Sequence, residues 1–173
     1  MIRILLNRLR KGIVTLPPGP LAGATADSVE SSGRALEAEI ARLFGRSLHI
    51  REVDTGSCGA CESEIIATTN PVYDLQRFGV DFVASPRHAD ALLVTGPVSR
   101  NMVIALKKTY DAVPGPKLVI TLGDCALGGG MFKESYYTAG GVQDILPVSL
   151  HIPGCPPSPL EIMRRLLAFL KGR

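Results

Sequence analysis

The sequence predicts one α/β domain built on a doubly wound, mostly parallel β-sheet and preceded by an extended N-terminal arm. Three observations support this prediction. The 173 residues are 46% hydrophobic, which suffices to bury one ordinary core. Short apolar segments typical of buried strands alternate along the chain with segments of helical periodicity. A stretch rich in proline and glycine precedes this alternation, so we place the arm at residues 1–33 and the domain at residues 34–173.

The arm contains two kinds of sequence. Residues 1–11 carry four basic side chains and no acidic one, and their leucine and isoleucine side chains can share one side of a helical turn. This short basic apolar segment could contact lipid, fray in solution or dock as a strand on a partner subunit. Residues 12–33 are rich in proline, glycine, alanine and serine, which favours an extended and poorly packed conformation.

The domain is expected to open with an amphipathic helix near Arg34, in which apolar residues recur at helical spacing up to Phe44 and Gly45 supplies the stop. The predicted strands cover residues 48–53, 82–84 with 91–95, 117–122 and 147–152. The other predicted helices cover residues 62–69, residues 100–110 with Ser99 as cap, and a last helix that opens at Ser158-Pro159-Leu160-Glu161. That last pattern is a capping box with proline at the first helical position.

Composition argues against several classes of protein. A formal net charge of +3, 5% aromatic residues and no tryptophan do not suggest a nucleic-acid surface, so we expect no nucleic-acid partner. No apolar run approaches the roughly 20 residues of a transmembrane helix. The N-terminal segment lacks the cleavage pattern of a signal peptide, so we expect a reducing compartment in which thiols stay free. The triple glycine at 128–130 lacks the lysine and hydroxyl residue of a phosphate-binding loop.

The four cysteines give the strongest chemical signal. Two residues separate Cys58 from Cys61, 63 lie between Cys61 and Cys125, and 29 lie between Cys125 and Cys155. Four thiolates gathered from separated segments can ligate a 4Fe–4S cluster, which is commonly held by four cysteines. Two alternatives remain open. Structural zinc also accepts four thiolates, although usually from two short-spaced pairs, and Cys58-Gly-Ala-Cys61 could be a thioredoxin-like exchange dithiol.

Each cysteine group follows a predicted strand by a few residues. Loops that leave parallel strands emerge at one edge of the sheet, where open α/β sheets bind ligands, so we expect the four sulfurs to converge there. Cys61 also lies where a helix begins, and the helix dipole should favour its thiolate. Small residues next to the cysteines should let the backbone approach a bulky cluster, namely Gly56, Gly59, Gly123 and Gly154.

Two acidic residues follow Cys61. Glu62 can complement the helix dipole or have a functional role, and both interpretations remain open. For Glu64 we predict a function as a buried acid or proton relay at a subunit contact, because coupled proton and electron transfer needs a titratable group nearby. The histidines show no ligand spacing and are predicted to be structural, namely His49, His88 and His151.

Several motifs occur in a fixed order between residues 48 and 170. They are GSCGACESEI around Cys58, NPVYDL and RFG from Asn70 onward, FVASPRHAD with LLVTGPV from Phe82 onward, GDCA at Cys125 and IPGCPP at Cys155. This set resembles the 20 kDa subunit family of NADH:quinone oxidoreductase, together with the small subunits of membrane-bound, energy-converting NiFe hydrogenases such as formate hydrogenlyase. The number and order of the motifs make the resemblance specific.

The resemblance implies a flavodoxin-like fold and one 4Fe–4S cluster held by the four cysteines. Complex I members have two adjacent cysteines, whereas the separated pair Cys58 and Cys61 resembles the hydrogenase branch, although Gly-Ala stands here where Asn-Gly is common. In that branch the cluster lies beside the NiFe site of a large subunit. In the alternative, complex I branch it passes electrons to quinone. Glu64 falls on the acid that both branches share.

The resemblance also implies an assembly. The partners would be a large NiFe or NiFe-like subunit, a ferredoxin-like iron–sulfur subunit and membrane-arm subunits. The complex would lie peripherally on the cytoplasmic side of the inner membrane. Within it, this chain would transfer electrons as a subunit of an oxidoreductase and would carry out no catalysis alone.

Overall fold

Ten regular elements follow one another in residues 26–173, the part of the chain that the computed structural model describes. In chain order they are α1 (Ala26–Phe44), β1 (Leu48–Asp54), α2 (Ala60–Thr68), β2 (Val80–Phe82), β3 (Ala91–Thr95), α3 (Val103–Ala112), β4 (Leu118–Leu122), α4 (Asp124–Gly128), β5 (Leu150–Ile152) and α5 (Pro159–Lys171). Short 3-10 turns lie at Leu75–Phe78, Pro86–His88, Gly130–Phe132 and Val142–Asp144. The alternation of strands and helices is the one predicted.

All five strands are parallel and lie in the order β2-β1-β3-β4-β5. This is the flavodoxin-like order, whose topological switch point lies between β1 and β3. The predicted doubly wound α/β fold is therefore confirmed. The two central strands, β3 and β4, are buried along their whole length, as expected for a parallel sheet with helices on both faces.

Two apolar layers hold the helices on the sheet. On one face, Leu36 of α1 and Met163 of α5 belong to the same cluster as Leu93 of β3. On the other face, Leu106 of α3 packs in a cluster with Leu92. Successive strand residues point to opposite faces, so each strand contributes to both layers. The strand ends remain available for the loops that build the site.

The first helix is longer than predicted. It begins at Ala26, eight residues before Arg34, and Val29 in its first turn is buried in the core. Val29, Leu36 and Ile40 share one helical face, and their burial outweighs the weak helix propensity of the serines and glycine between them. The prediction of an extended arm is therefore wrong for residues 26–33. Its remaining part, including the basic apolar segment, lies in residues 1–25, outside the described residues.

Two strand boundaries also differ from the prediction. β2 covers Val80–Phe82 instead of 82–84, because Val80 pairs in register with Leu48 and so starts the ladder with β1 earlier. β5 starts at Leu150 instead of residue 147. Proline at 147 has no N–H to donate to a ladder, which explains the later start.

Ser99 does not cap α3, which starts at Val103 without a side-chain cap. The Ser99 N–H instead donates to the Thr55 carbonyl at 2.8 Å, and this residue forms an isolated bridge with Thr138. The cap of α5 is as predicted, because Ser158 Oγ accepts the Glu161 N–H at 3.3 Å behind proline at the first helical position.

Replacing Gly33 with alanine should destabilise the domain. A Cβ at this position would overlap Cε2 of Phe78, which belongs to a fully buried ring. We expect the overpacking to lower the free energy of unfolding by about 1–3 kcal/mol, more than the gain in helix propensity of about 1 kcal/mol. Ser31→Ala, at an exposed position of the same helix, is the matched control and should cost nothing. Equal urea midpoints for the two variants would contradict this packing argument.

Candidate metal centre at the carboxyl edge of the sheet

Three loops at the carboxyl edge of the sheet bring the four cysteines together. Cys58 and Cys61 follow β1, Cys125 follows β4 and Cys155 follows β5. All four line one cavity with about 330 Å³ of empty space. The remaining lining comes mainly from Gly96 and Pro97 after β3, Ala60, Phe132, Gly154 and Pro156. The expected convergence at the strand ends is what the structure has.

The loop that carries the first pair of cysteines is fixed by its own side chains. Asp54 Oδ1 accepts the N–H groups of Gly56 at 2.8 Å and Ser57 at 2.7 Å. Ser57 Oγ accepts the Gly59 N–H at 2.9 Å and donates to Glu62 Oε2 at 2.5 Å. Glu62 therefore does more than complement the helix dipole, because it ties the start of α2 to the loop before it.

The other two cysteine loops are bonded directly to each other. The Asp124 N–H donates to the Gly154 carbonyl, and the Gly154 N–H donates to Asp124 Oδ1, each at 2.9 Å. The Gly123 N–H donates to the Ile152 carbonyl at 2.8 Å and continues the pairing of β4 with β5. Cys125 and Cys155 thus keep a fixed relative position although 29 residues lie between them.

Glycine is required where backbone passes close to sulfur. A Cβ on Gly123, whose φ is 85°, would lie 2.7 Å from Cys61 Sγ. A Cβ on Gly130 would lie 2.9 Å from Cys125 Sγ. The prediction for Gly123 is confirmed, but nothing in the sequence distinguishes Gly130 from its two glycine neighbours. Gly59 has no atom within 4 Å of such a Cβ, so it does not provide close approach to sulfur.

The thiols are free, and burial strongly disfavours the ionisation of two of them. Burial raises the pKa of Cys61 to about 12, and Glu62 is the next largest cause. Burial is also the main reason why the pKa of Cys125 is raised, followed by the effect of Cys155. The expected stabilisation of the Cys61 thiolate by the helix dipole is therefore outweighed. A metal bound by thiolates must displace these protons, so its uptake should improve as the pH rises.

In the metal-free protein, Cys61 should be the last cysteine to react with iodoacetamide. The thiolate is the nucleophile, so the Cys61 rate should still be rising well above the ordinary thiol pKa of 9.0. Cys58 and Cys155 are exposed and should be labelled first. Peptide mass spectrometry over a pH series measures the order, and the denatured chain is the control in which all four react alike. Equal rates for Cys61 and Cys155 at neutral pH would refute the assignment.

Glu64 lies on α2 outside the cysteine cavity. It is half-buried and makes no hydrogen bond or ion pair with any other residue of the described part of the chain. The predicted proton relay at this position stays a prediction, since a subunit contact is what would bury it.

The histidines lie away from the cysteine loops. His49 Nδ1 is 3.1 Å from the His88 carbonyl and 3.2 Å from Arg46 Nη1, near the amino end of β1. His151 Nδ1 is 2.9 Å from Thr121 Oγ1 on the neighbouring strand. Neither contact involves a cysteine, and none of the three histidines lines the cavity.

The donor set fits an iron–sulfur cluster. Four thiols surround one cavity, and glycine replaces any side chain at the two places where a Cβ would press on a sulfur. Within residues 26–173 no three cysteine, histidine or acidic side chains are arranged to hold a single metal ion. The sulfurs thus surround a space instead of meeting at one point, as a multi-iron cluster requires.

The fold and site together define a flavodoxin-like α/β protein with a four-thiol centre at its switch-point edge. The chain belongs to the NADH ubiquinone oxidoreductase 20 kDa subunit family, whose profile matches residues 58–169. The family is one of oxidoreductase subunits, as the motifs indicated. The match begins at the first cysteine and includes all four.

Relatives of this chain are subunits of several redox complexes. A probable membrane-bound hydrogenase subunit, mbhJ of Pyrococcus furiosus, is 45% identical over 144 residues, covering 82% of this chain and 86% of the relative. Formate hydrogenlyase subunit 7 of Escherichia coli is 42% identical over 132 residues, covering 76% of this chain and 52% of the relative. A subunit of the F(420)H(2) dehydrogenase of Methanosarcina mazei is 47% identical over 110 residues, covering 64% of this chain and 60% of the relative.

Solved structures share the fold. A chain of the membrane-bound sulfane sulfur reductase, an archaeal respiratory membrane complex, superposes with a TM-score of 0.65 at 30% identity, covering 79% of this chain and 74% of the other. A chain of an NAD+-reducing NiFe hydrogenase gives a TM-score of 0.57 at 19% identity, covering 74% and 93%, and supports the fold alone. Among the described residues, no helix combines the length and the apolar character needed to cross a membrane.

Proposed function

We propose that this chain is an electron-transfer subunit of a membrane-associated hydrogenase complex. Its Cys58, Cys61, Cys125 and Cys155 would hold one 4Fe–4S cluster proximal to the NiFe site of a large subunit. The observation that carries this proposal is the convergence of all four cysteines on one cavity. The names of the Pyrococcus and Escherichia coli relatives, a membrane-bound hydrogenase subunit and a formate hydrogenlyase subunit, support the hydrogenase assignment.

A bound cluster would supply one-electron redox chemistry, and the chain would supply ligands, position and shielding. Cys58 and Cys155 are exposed, whereas Cys61 and Cys125 are partly buried, so one side of the cavity faces outward. Such an arrangement suits electron exchange with a neighbour while protein atoms cover the inner side. The reciprocal hydrogen bonds of Asp124 and Gly154 would keep the cluster loops rigid, which limits reorganisation when the charge changes.

The surface beside the cavity supports a partner on this side. Met131 is 83% exposed and Tyr136 is 86% exposed, and both belong to the segment that follows Cys125. Exposed apolar side chains of this size next to a site are typical of protein contacts. We assign this face to the large subunit. A ferredoxin-like iron–sulfur subunit and membrane-arm subunits complete the proposed assembly, placed peripherally on the cytoplasmic side of the inner membrane.

The family description favours a second candidate function. In a complex I-type enzyme the same cluster would pass its electron to quinone instead of a NiFe site. The spacing Cys58-Gly-Ala-Cys61 favours the hydrogenase branch. Nickel analysis of the purified complex distinguishes the two, because only the first function requires nickel in the partner.

The proposal is tested on the complex purified without oxygen. We expect about four iron and four sulfide per copy of this chain beyond those of other subunits, and an EPR signal from a reduced 4Fe–4S cluster that depends on Cys125. Stoichiometric zinc in place of iron would overturn the proposal in favour of a zinc-stabilised module. Insulin reduction that survives serine at both Cys125 and Cys155 would instead identify an exchange dithiol.

A further inference from the structure

Two carboxyl groups face each other beneath the first cysteine loop. Glu52 lies on β1, and its side chain points to the same face of the sheet as that of Ile50, towards α2. Glu62 lies in the first turn of α2. One oxygen of each carboxyl group, Glu52 Oε1 and Glu62 Oε1, is buried without a hydrogen-bond partner in the described part of the chain. Buried carboxyl oxygens usually have partners, so this pair requires an explanation.

The charges around Glu52 favour its protonated form. Burial is the main reason why the pKa of Glu52 is raised, and the neighbouring Glu62 and Asp54 raise it further. Arg51 acts in the opposite direction, as does the Thr95 hydroxyl on β3, although that hydroxyl makes no regular hydrogen bond. Two carboxylates and no fully compensating cation therefore surround a proton-binding group.

The position of Glu52 links it to the cysteine site. Glu52 stands six residues before Cys58 on the strand that ends at the site, and it faces the helix that carries Cys61. The second carboxyl group, on Glu62, is hydrogen-bonded to Ser57 in the cysteine loop. An added negative charge at the four sulfurs acts on Glu52 through protein instead of water, where charges interact more strongly.

We propose that Glu52 takes up one proton when one electron enters the four-cysteine site, which makes this chain a coupled acceptor of electrons and protons. This inference rests on the proposed electron-transfer function and adds a proton site to it. One electron arrives from a low-potential one-electron carrier and remains at the metal centre. One proton from solvent forms an O–H bond at Glu52, and no other bond changes. Oxidation releases both, so charge and atoms balance.

Glu64 is the rival acid that the sequence favoured. It is half-buried at the outer side of α2, so solvent already stabilises its charged form. Glu52 has what a coupled group needs, namely a buried and unpartnered oxygen within the layer between β1 and α2. The proton site is therefore assigned to the strand and not to the helix.

The test is an anaerobic redox titration of the purified complex, followed by EPR at several pH values. A one-proton, one-electron couple approaches about 59 mV for each tenfold change in proton concentration. We expect the wild type to show such a dependence and Glu52→Gln to lose most of it. Glu64→Gln and the exposed Glu37→Gln are controls that should keep the wild-type slope. A Glu52→Gln variant with the wild-type slope, or loss of the slope in Glu62→Gln alone, would overturn the inference.

A second measurement covers the case in which Glu52→Gln does not assemble. Infrared difference spectra of the wild-type complex should show a carboxylic-acid C=O band that appears on reduction and shifts in D₂O. Absence of this band would refute proton uptake by a carboxyl group. A wild-type complex without any cluster signal would defeat the proposed function itself, whereas a normal signal with no pH dependence would defeat only the coupling.

Discussion

Replacing Cys125 with serine should eliminate the reduced-cluster EPR signal of this chain and lower its iron content at least tenfold. The chain has four cysteines, and all four line the cavity, so no spare thiol can replace the missing ligand. A serine hydroxyl binds iron poorly near neutral pH because it must lose a much less acidic proton. Since ligand binding contributes to the stability of the loaded protein, the variant should also unfold at a lower temperature.

The control for this substitution is a second change of sulfur next to the site. Met131→Leu removes an exposed thioether six residues after Cys125 and leaves the thiols unchanged. It should retain iron and the EPR signal, although it could weaken binding of the partner. A Cys125→Ser protein with the full signal would show that Cys125 is not a ligand. Zinc at one equivalent in the wild type, lost in Cys125→Ser, would assign the same residues to a different metal.

Replacing Gly123 with alanine should reduce cluster content nearly as strongly, with every ligand still present. The new Cβ would lie 2.7 Å from Cys61 Sγ, so the thiol would have to leave its place. The φ of 85° adds a backbone cost of about 1–2 kcal/mol for any residue other than glycine. We expect at least tenfold less iron in the anaerobically purified complex. Metal analysis and quantitative EPR measure the loss.

The matched control separates this contact from backbone strain. Gly45 also has a left-handed φ, of 65°, but a Cβ there would have no atom within 4 Å. Gly45→Ala should therefore lose some stability to strain and keep its full cluster content. If both variants lose iron equally, then strain in the fold and not the approach to Cys61 is responsible. If neither loses iron, Cys61 can move without loss of the centre.

Much of the fold could be predicted because its strands are buried and short. β3 and β4 are continuous apolar runs between turn residues, and both were located within one residue. The start of α1 could not be predicted, because serine, glycine and alanine in residues 26–33 are typical of loops. Only tertiary contacts, such as the packing of Val29 and the place of Gly33 beside Phe78, make this segment helical.

The site divides in the same way. The cysteines could be found because strand ends of a parallel sheet share an edge, and this rule converts distant sequence positions into neighbours. Glu52 could not be found, since a glutamate in the sequence of a strand gives no sign that its carboxyl group will be covered by α2. The electrostatics of Cys61 were also missed. The dipole of α2 was visible in the sequence, but the depth of burial that outweighs it was not.

The bonds between the Asp124 and Gly154 loops have a consequence for how the protein matures. Cys155 is the last of the four cysteines to leave the ribosome, 97 residues after Cys58. Its turn is positioned only when β5 has paired with β4 at the margin of the sheet. An iron–sulfur donor that arrives earlier finds at most three thiols. Delivery of the cofactor is therefore timed by the addition of the final strand, and a maturation factor that senses this strand would load only finished molecules.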